Sequence, residues 1–397
     1  MTIDLLLTNV RPWGQAPIDL AVRAGRIAPP GPEDAARTVD GRGAILLPGL
    51  VEAHTHLDKS FLGLPWQPHG AGAGAGIMGK IENERRLKAK LGLDAARQSA
   101  RQVVRSVAMG STHIRSHVDV DPQVGVRSIE GVLAMRERYR DLVDIQIVAF
   151  PQWGLLTRPG TPELMAEALR LGADLVGGLD PSAIDRDPKG HLDLVFGLAD
   201  RFGKGVDIHL HEPGELGAFS VELVCERTKA LGLSGRVMLS HAFCLGMPDA
   251  ARVDRLLALL AEAGVAIMTT GPADSPAPPV RRCVAAGVVV CAGSDGIRDA
   301  WQPYGNADML ERATLVGMRN NFRTDEDLAL ALDLCTRGGA TALGLGSYGL
   351  SEGDAADFVL VEAECLAEAV VTRPPRRLVV KRGRIVAQEG AAILAAP

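Results

Sequence analysis

The stretch "LLPGLVEAHTHLDKS", residues 46–60, sets His54 and His56 two positions apart at the end of an apolar run. Side chains two apart on a strand face the same way, so both imidazoles can be offered, neutral, to one ion. An isolated pair of this kind is more often split, one ring packed in a core and the other against a helix. His209 and Asp295 change that balance, because three imidazoles and one carboxylate make a ligand set suited to Zn(II) or Fe(II). A divalent ion so held lowers the pKa of water from roughly 16 toward roughly 7, which supplies hydroxide at neutral pH.

These residues need elements to position them, and the middle of the chain provides a regular series. Eight short apolar runs, at 50–58, 112–120, 144–152, 173–180, 206–212, 237–243, 265–271 and 288–295, alternate with Ala- and Leu-rich stretches such as "DAARQSARQVVRSVAM", "TPELMAEALRLG" and "DAARVDRLLALLAEAG". Eight βα units predict a closed parallel (β/α)8 TIM barrel, whose chemistry sits at the C-terminal ends of its strands. An open doubly wound sheet is the competing architecture, but no GxGxxG follows the first run. The polar residues gather at those ends: His54 and His56, His117 and Asp119, Gln152, His209, His211 and Glu212, His241, and Asp295.

The two chain ends read differently from the middle and like each other. "VRAGRIA" near the start and "VKRGRIV" near the end share a hairpin-like Gly-Arg between alternating segments. The expected organisation is an α/β chain in which residues 1–48 and 345–397 form one small β-sandwich domain around a barrel at 49–344. Composition narrows the partners: a net charge of −5 with no Lys/Arg cluster gives no footprint for nucleic acid or an anionic membrane. Six scattered cysteines without a CxxC pair suit reduced thiols. With no signal-peptide pattern and no long apolar run, the chain reads as cytoplasmic. A small-molecule partner is expected, and a homo-oligomer is compatible with the sequence.

"LPGLVEAHTHLDKS", "VDIHLHE", "LSHAF" and "AGSDGIRDAWQPYGNADML" together resemble the amidohydrolase superfamily, and within it the cytosine deaminase branch, which includes enzymes acting on amino-triazines. "HIRSHVDVD" and "IVAFPQWGLL" resemble that branch's second and third strand ends. The resemblance implies a mononuclear site with His54, His56, His209 and Asp295 as ligands. The residues agree about the metal count, since the fourth run, "ADLVGGLD", lacks the lysine that bridges two metals elsewhere in the superfamily. The implied reaction is hydrolytic deamination of an amino-substituted N-heterocycle with release of ammonia. Asp295 would accept a proton, Glu212 would shuttle one to the leaving nitrogen, and His241 would polarise or position the water. Glu212 stands three after His209, so the chain must turn there for it to serve. Gln152 offers a donor and an acceptor to a ring edge, and His211 reads as pocket wall or support.

The pattern breaks at two places. Where cytosine deaminases carry a second aspartate that contacts the ring, Asp295 is followed by Gly296, and Trp153 stands where they tend to carry an acid. Losing a hydrogen bond that reads the substrate changes specificity, so the ring is less determined than the chemistry. Trp301 and Trp66 could stack on a flat ring, and the segment 59–80, with its Gly-Ala repeat, is expected as a cover over the barrel mouth. The rival reading is an N-alkylammelide-type amidohydrolase releasing an alkylamine, or a cyclic amide hydrolase. A catalytically silent binding barrel is the reading from another class, and the presence of every ligand speaks against it.

Overall fold

The structure, a computed structural model, describes residues 3–31, 34–69 and 76–394 of the chain. Eight parallel strands run in chain order around the barrel: β1 (Leu50–Thr55), β2 (Ser111–Asp119), β3 (Asp144–Phe150), β4 (Leu175–Leu179), β5 (Gly205–His209), β6 (Val237–Ser240), β7 (Val265–Thr269) and β8 (Val290–Ala292). Each adjoining pair is parallel, and a bridge between Thr55 and Asp295 closes the ring from first to last. Gly293 is required at this seam, because a Cβ there would lie 2.6 Å from that of His54 and 2.7 Å from its carbonyl oxygen.

All eight expected strands are present, and several end sooner than their apolar runs suggest. β5 stops at His209, β6 at Ser240 and β8 at Ala292, so Glu212, His241 and Asp295 lie on the loops just beyond. Hydropathy continues through these loops because they are buried under the barrel mouth, whereas the backbone has already turned. His241 and Asp295 have φ of +75° and +60°, conformations that side-chain-bearing residues adopt at a cost and that recur where function demands them.

The helices begin and end where local chemistry dictates. The helix Ala250–Ala263 starts after Asp249, whose side chain accepts from the Arg252 N–H, and stops at Gly264 in the left-handed region. Its Val253, Leu256, Leu257 and Leu260 are buried on one face against the barrel, and each such residue contributes roughly 1.5–3 kcal/mol. The first helix after the barrel opens, α1 (Gly76–Leu91), is different: only Ile81 and Glu84 of its side chains are buried. It is followed by α2 (Ala95–Ala108), which packs on the barrel wall. The Gly-Ala repeat of the expected cover falls at 70–75, outside the described residues.

Strands from both chain ends form one nine-stranded sheet, in which Ile45–Pro48 pairs antiparallel with Phe358–Val361. Leu5, Leu7 and Val22 from the first segment share a core with Phe358, Leu360 and Val380 from the last. An ion cluster around the buried Lys381 joins this sheet to the barrel: its Nζ donates to the buried Asp357 at 2.6 Å and to the half-exposed Asp144, the first residue of β3, at 2.7 Å. Among the described residues no helix is long and apolar enough to cross a membrane.

Candidate metal and substrate site

His54, the penultimate residue of β1, has its ring fully buried, and its orientation is set from behind. Its Nδ1 lies 2.8 Å from Ser240 Oγ, and that hydroxyl donates onward to Asp207 Oδ1 at 2.8 Å. The serine therefore accepts from Nδ1–H, which leaves the Nε2 lone pair pointing into the barrel mouth. Asp207 is itself held by Arg115 and lies 3.3 Å from His117 Nε2. His117 thus stands beneath the site, in support of it.

The imidazoles meet around one carboxylate. Asp295 Oδ1 lies 3.1 Å from His56 Nε2 and 3.5 Å from His54 Nε2, while Oδ2 is 4.0 Å from His241 Nε2. His54, His209, His241 and Asp295 each bring a ligand atom within 4.8 Å of the others. The Nε2 atoms of His54, His209 and His241 are buried without a hydrogen-bond partner. Buried polar atoms left unpaired are costly, and several converging on one point fit an ion that accepts their lone pairs.

Charge states agree with that fit. Burial and the neighbouring imidazoles push His209 and His241 well below the ordinary histidine range, and burial with Lys59 nearby brings His56 down to about 3. All three are neutral donors near pH 7. Burial disfavours ionisation of Asp295, yet the imidazoles around it prevail and hold it well below the usual carboxylate range. Three neutral imidazoles and one carboxylate are the donor set that Zn(II) or Fe(II) takes.

Glu212 is placed differently from its expected role. Its Oε1 accepts the backbone N–H groups of Ser182 and Ala183 at 2.7 and 2.8 Å, and its Oε2 accepts the Ser220 hydroxyl at 2.6 Å. The carboxylate is committed to protein donors and does not line the cavity above the histidines. His211, one residue earlier, does line it. Its Nδ1 lies 2.9 Å from Asp180 Oδ2, and its ring stacks 4.4 Å from that of His241. Burial works against a charged His211, but the Asp180 carboxylate outweighs burial and its pKa is raised.

The cavity, about 710 Å³, is walled by His56, Lys59, Gln152, His209, His211, His241, Asp295 and Asp299, with Phe150, Leu179, Phe243, Pro272 and Leu315 as apolar surface. Trp301 lines it. The other two expected tryptophans do not. Trp66 is 60% exposed, with the Arg298 guanidinium over its ring, and Trp153 sits between Arg85 and Arg158 with its Nε1 donating to Glu82. Each ring packs instead against arginine guanidinium groups that do not line the cavity.

Gln152 faces the cavity with both ends partly engaged, Oε1 accepting from Lys59 at 2.7 Å and Nε2 donating to Glu84 at 3.0 Å. One lone pair and one N–H remain for a ligand. Asp119 lies behind, 3.1 Å from Lys59 Nζ. The glycine at 296 has a local explanation, since a Cβ there would meet Asp299 Oδ2 at 2.0 Å. Asp299 is anchored through Oδ1 by the Trp301 and Gln302 N–H groups, and burial together with Glu84 raises its pKa to about 7.

Sequence reasoning passed over Lys59, Ser240, Asp207, Asp180 and Asp299. Asp207 alternates with His209 on one strand, Ser240 directly precedes His241, and Asp180 ends the fourth apolar run. Those positions were detectable by periodicity, but their partners come from other strands.

Comparison with known proteins finds a family match over most of the chain. The amidohydrolase family matches residues 37–387. The solved structure of N-isopropylammelide isopropylaminohydrolase from Burkholderia multivorans ATCC 17616 is 51% identical, with a TM-score of 0.95, covering 99% of this chain and 100% of that one. N-isopropylammelide isopropyl amidohydrolase of Pseudomonas sp. (strain ADP) is 33% identical over 360 residues, 88% of each chain. 5-Methylcytosine deaminase from Klebsiella pneumoniae, solved with 5-fluorocytosine, is 28% identical with a TM-score of 0.84, covering 98% of this chain and 99% of that one.

Proposed function

Because the chain belongs to the amidohydrolase family and is a hydrolase acting on carbon–nitrogen bonds, we propose that it hydrolyses the bond between an N-heterocyclic ring carbon and an exocyclic alkylamino nitrogen. The substrate class is an N-alkylated amino-dihydroxy-triazine, and water adds as the ring hydroxyl while the alkylamine leaves. The observation that carries this reading is the 51% identity, over 99% of the chain, to N-isopropylammelide isopropylaminohydrolase. It makes release of an alkylamine the first reading and release of ammonia the second. Phe150, Phe243 and Leu315 on the cavity wall supply apolar surface for an alkyl group.

His54, His56, His209 and Asp295 would hold one divalent ion, Zn(II) or Fe(II). His54 and His56 approach the same oxygen of Asp295, whereas His241 faces the other at the longer distance, which leaves His241 to orient the water. The ion supplies hydroxide at neutral pH by lowering the pKa of water. Asp295, ionised, takes up the proton released as the water is used. His211, held at Nδ1 by Asp180 and facing the cavity, would donate to the departing nitrogen. Glu212 braces the 180–183 turn that carries Asp180, and so acts on the proton donor from behind. Gln152 and Trp301 hold the ring.

The test is product analysis on metal-loaded protein offered N-isopropylammelide, its N-methyl and N-ethyl analogues, and cytosine. Isopropylamine from the first is the expected result. Ammonia from cytosine with no alkylamine from any triazine would return the protein to the deaminase reading.

A further inference from the structure

We propose that Glu84, on α1, is a positioning residue that fixes the polarity and angle of the groups reading the substrate ring. It rests on the site of the proposed function but not on which nitrogen leaves. Glu84 is 1% exposed and does not line the cavity, yet three side chains that do line it converge on its carboxylate. Lys59 Nζ lies 3.4 Å from Oε1, Gln152 Nε2 donates to Oε1 at 3.0 Å, and Trp301 Nε1 donates to Oε2. These come from the loops after β1, β3 and β8, which have no direct sequence relation to one another.

The arrangement decides what the ring meets. A glutamine amide has two faces of opposite polarity, and either could be presented to the cavity. Here Lys59, a donor only, holds Oε1, and Glu84, an acceptor, holds Nε2. The amide cannot turn over without placing its NH₂ against an ammonium and its oxygen against a carboxylate. Trp301 is likewise pinned at its only polar atom, which sets the plane against which a flat ring lies. Lys88 adds a further cation 3.8 Å from Oε1, and Lys59 and Lys88 are shared with Asp119.

A glutamine at 84 has one oxygen where four donors point, so at least one of them would face its NH₂. The substitution therefore loosens the ring readers while keeping side-chain shape. A merely structural role would show as lost folding or lost metal. A positioning role shows as weaker ring binding and weaker discrimination between rings whose edges differ in donors and acceptors.

The experiment measures, by calorimetry on metal-loaded protein, the affinity of cyanuric acid, uracil and cytosine for the wild type, Glu84→Gln, Glu84→Asp and Glu82→Gln. Metal content and melting temperature are recorded for each. Glu82→Gln is the control, since it makes the same change of carboxylate to amide two residues away on the same helix, at the exposed acceptor of Trp153 and without touching the cavity. The expected result is a loss of about tenfold or more in affinity for the preferred ring, with narrowed discrimination, in Glu84→Gln alone or with Glu84→Asp. Wild-type affinity and discrimination in both Glu84 variants would overturn the proposal, as would an equal loss in Glu82→Gln or a wild type that binds none of the three rings. Ring binding that depends on Glu84, found in a protein that releases no alkylamine, would sink the proposed reaction and leave Glu84 in place.

Discussion

Ser240 shows how much of the metal site rests on groups that never touch it. Its hydroxyl accepts a hydrogen bond from His54 Nδ1–H and donates one to Asp207, which fixes the tautomer that leaves Nε2 free. Replacing Ser240 with Ala should lower metal affinity by about 10–100-fold, read by competition with a chelator, while the fold is retained. The proposed proton donor is separable from its proposed brace: His211→Asn should cut kcat by about 10²–10⁴-fold. Glu212→Gln should instead retain most of kcat and lower the melting temperature, and a dead but fully folded Glu212→Gln enzyme would restore the shuttle role to that residue. Because His211 must carry a proton to serve, kcat should decline as pH rises, and Asp180→Asn should move that decline to lower pH, since Asp180 is the carboxylate that favours the charged ring. Gly296→Ala should raise KM, since a Cβ cannot coexist with Asp299 in its present place. These roles were partly legible in sequence. The histidines and Asp295 stood out by type and spacing, whereas His211 and Glu212, adjacent in the chain, could be told apart only by where each side chain turns.

At the scale of elements, the eight apolar runs located the strands because burial on both faces makes parallel strands read as continuous hydrophobic segments. Their C-terminal ends were not legible, since hydropathy reports burial and the catalytic loops are as buried as the strands. The junction between the two sheets gives a pH test. Burial favours the neutral acid at Asp144, but His113 and Lys381 outweigh it and depress its pKa. A carboxylate with a depressed folded-state pKa contributes stability above its unfolded value, and that contribution is lost as pH falls. The denaturation midpoint should therefore drop as pH goes below about 3.8, and the drop should be shallower in Asp144→Asn. The effect is modest, because the Asp144 side chain is 40% exposed and water screens it.

For the whole molecule, the barrel is closed at the bridge where Thr55 meets Asp295, so the last metal ligand and the first pair of histidines share one seam. Strain at Asp295 is stored at this seam and strain at His241 just beyond β6, and the packed ring around them holds both. The sequence by itself determined the barrel, the joining of both chain ends in one sheet, the histidines and carboxylate at the strand ends, and the class of reaction. The first three follow from periodicity and residue type, which are local properties, and the class of reaction from the resemblance that the strand-end motifs carry. Only the tertiary structure decided that Trp66 and Trp153 stand off the cavity, that Asp299 occupies the space above Gly296, that Glu212 points away from it and that Glu84 holds three of its neighbours. Apart from the Gly296–Asp299 contact, which spans three residues, each of these depends on residues far apart in the chain, and which way such side chains turn is set by the donors, acceptors and charges that folding brings beside them.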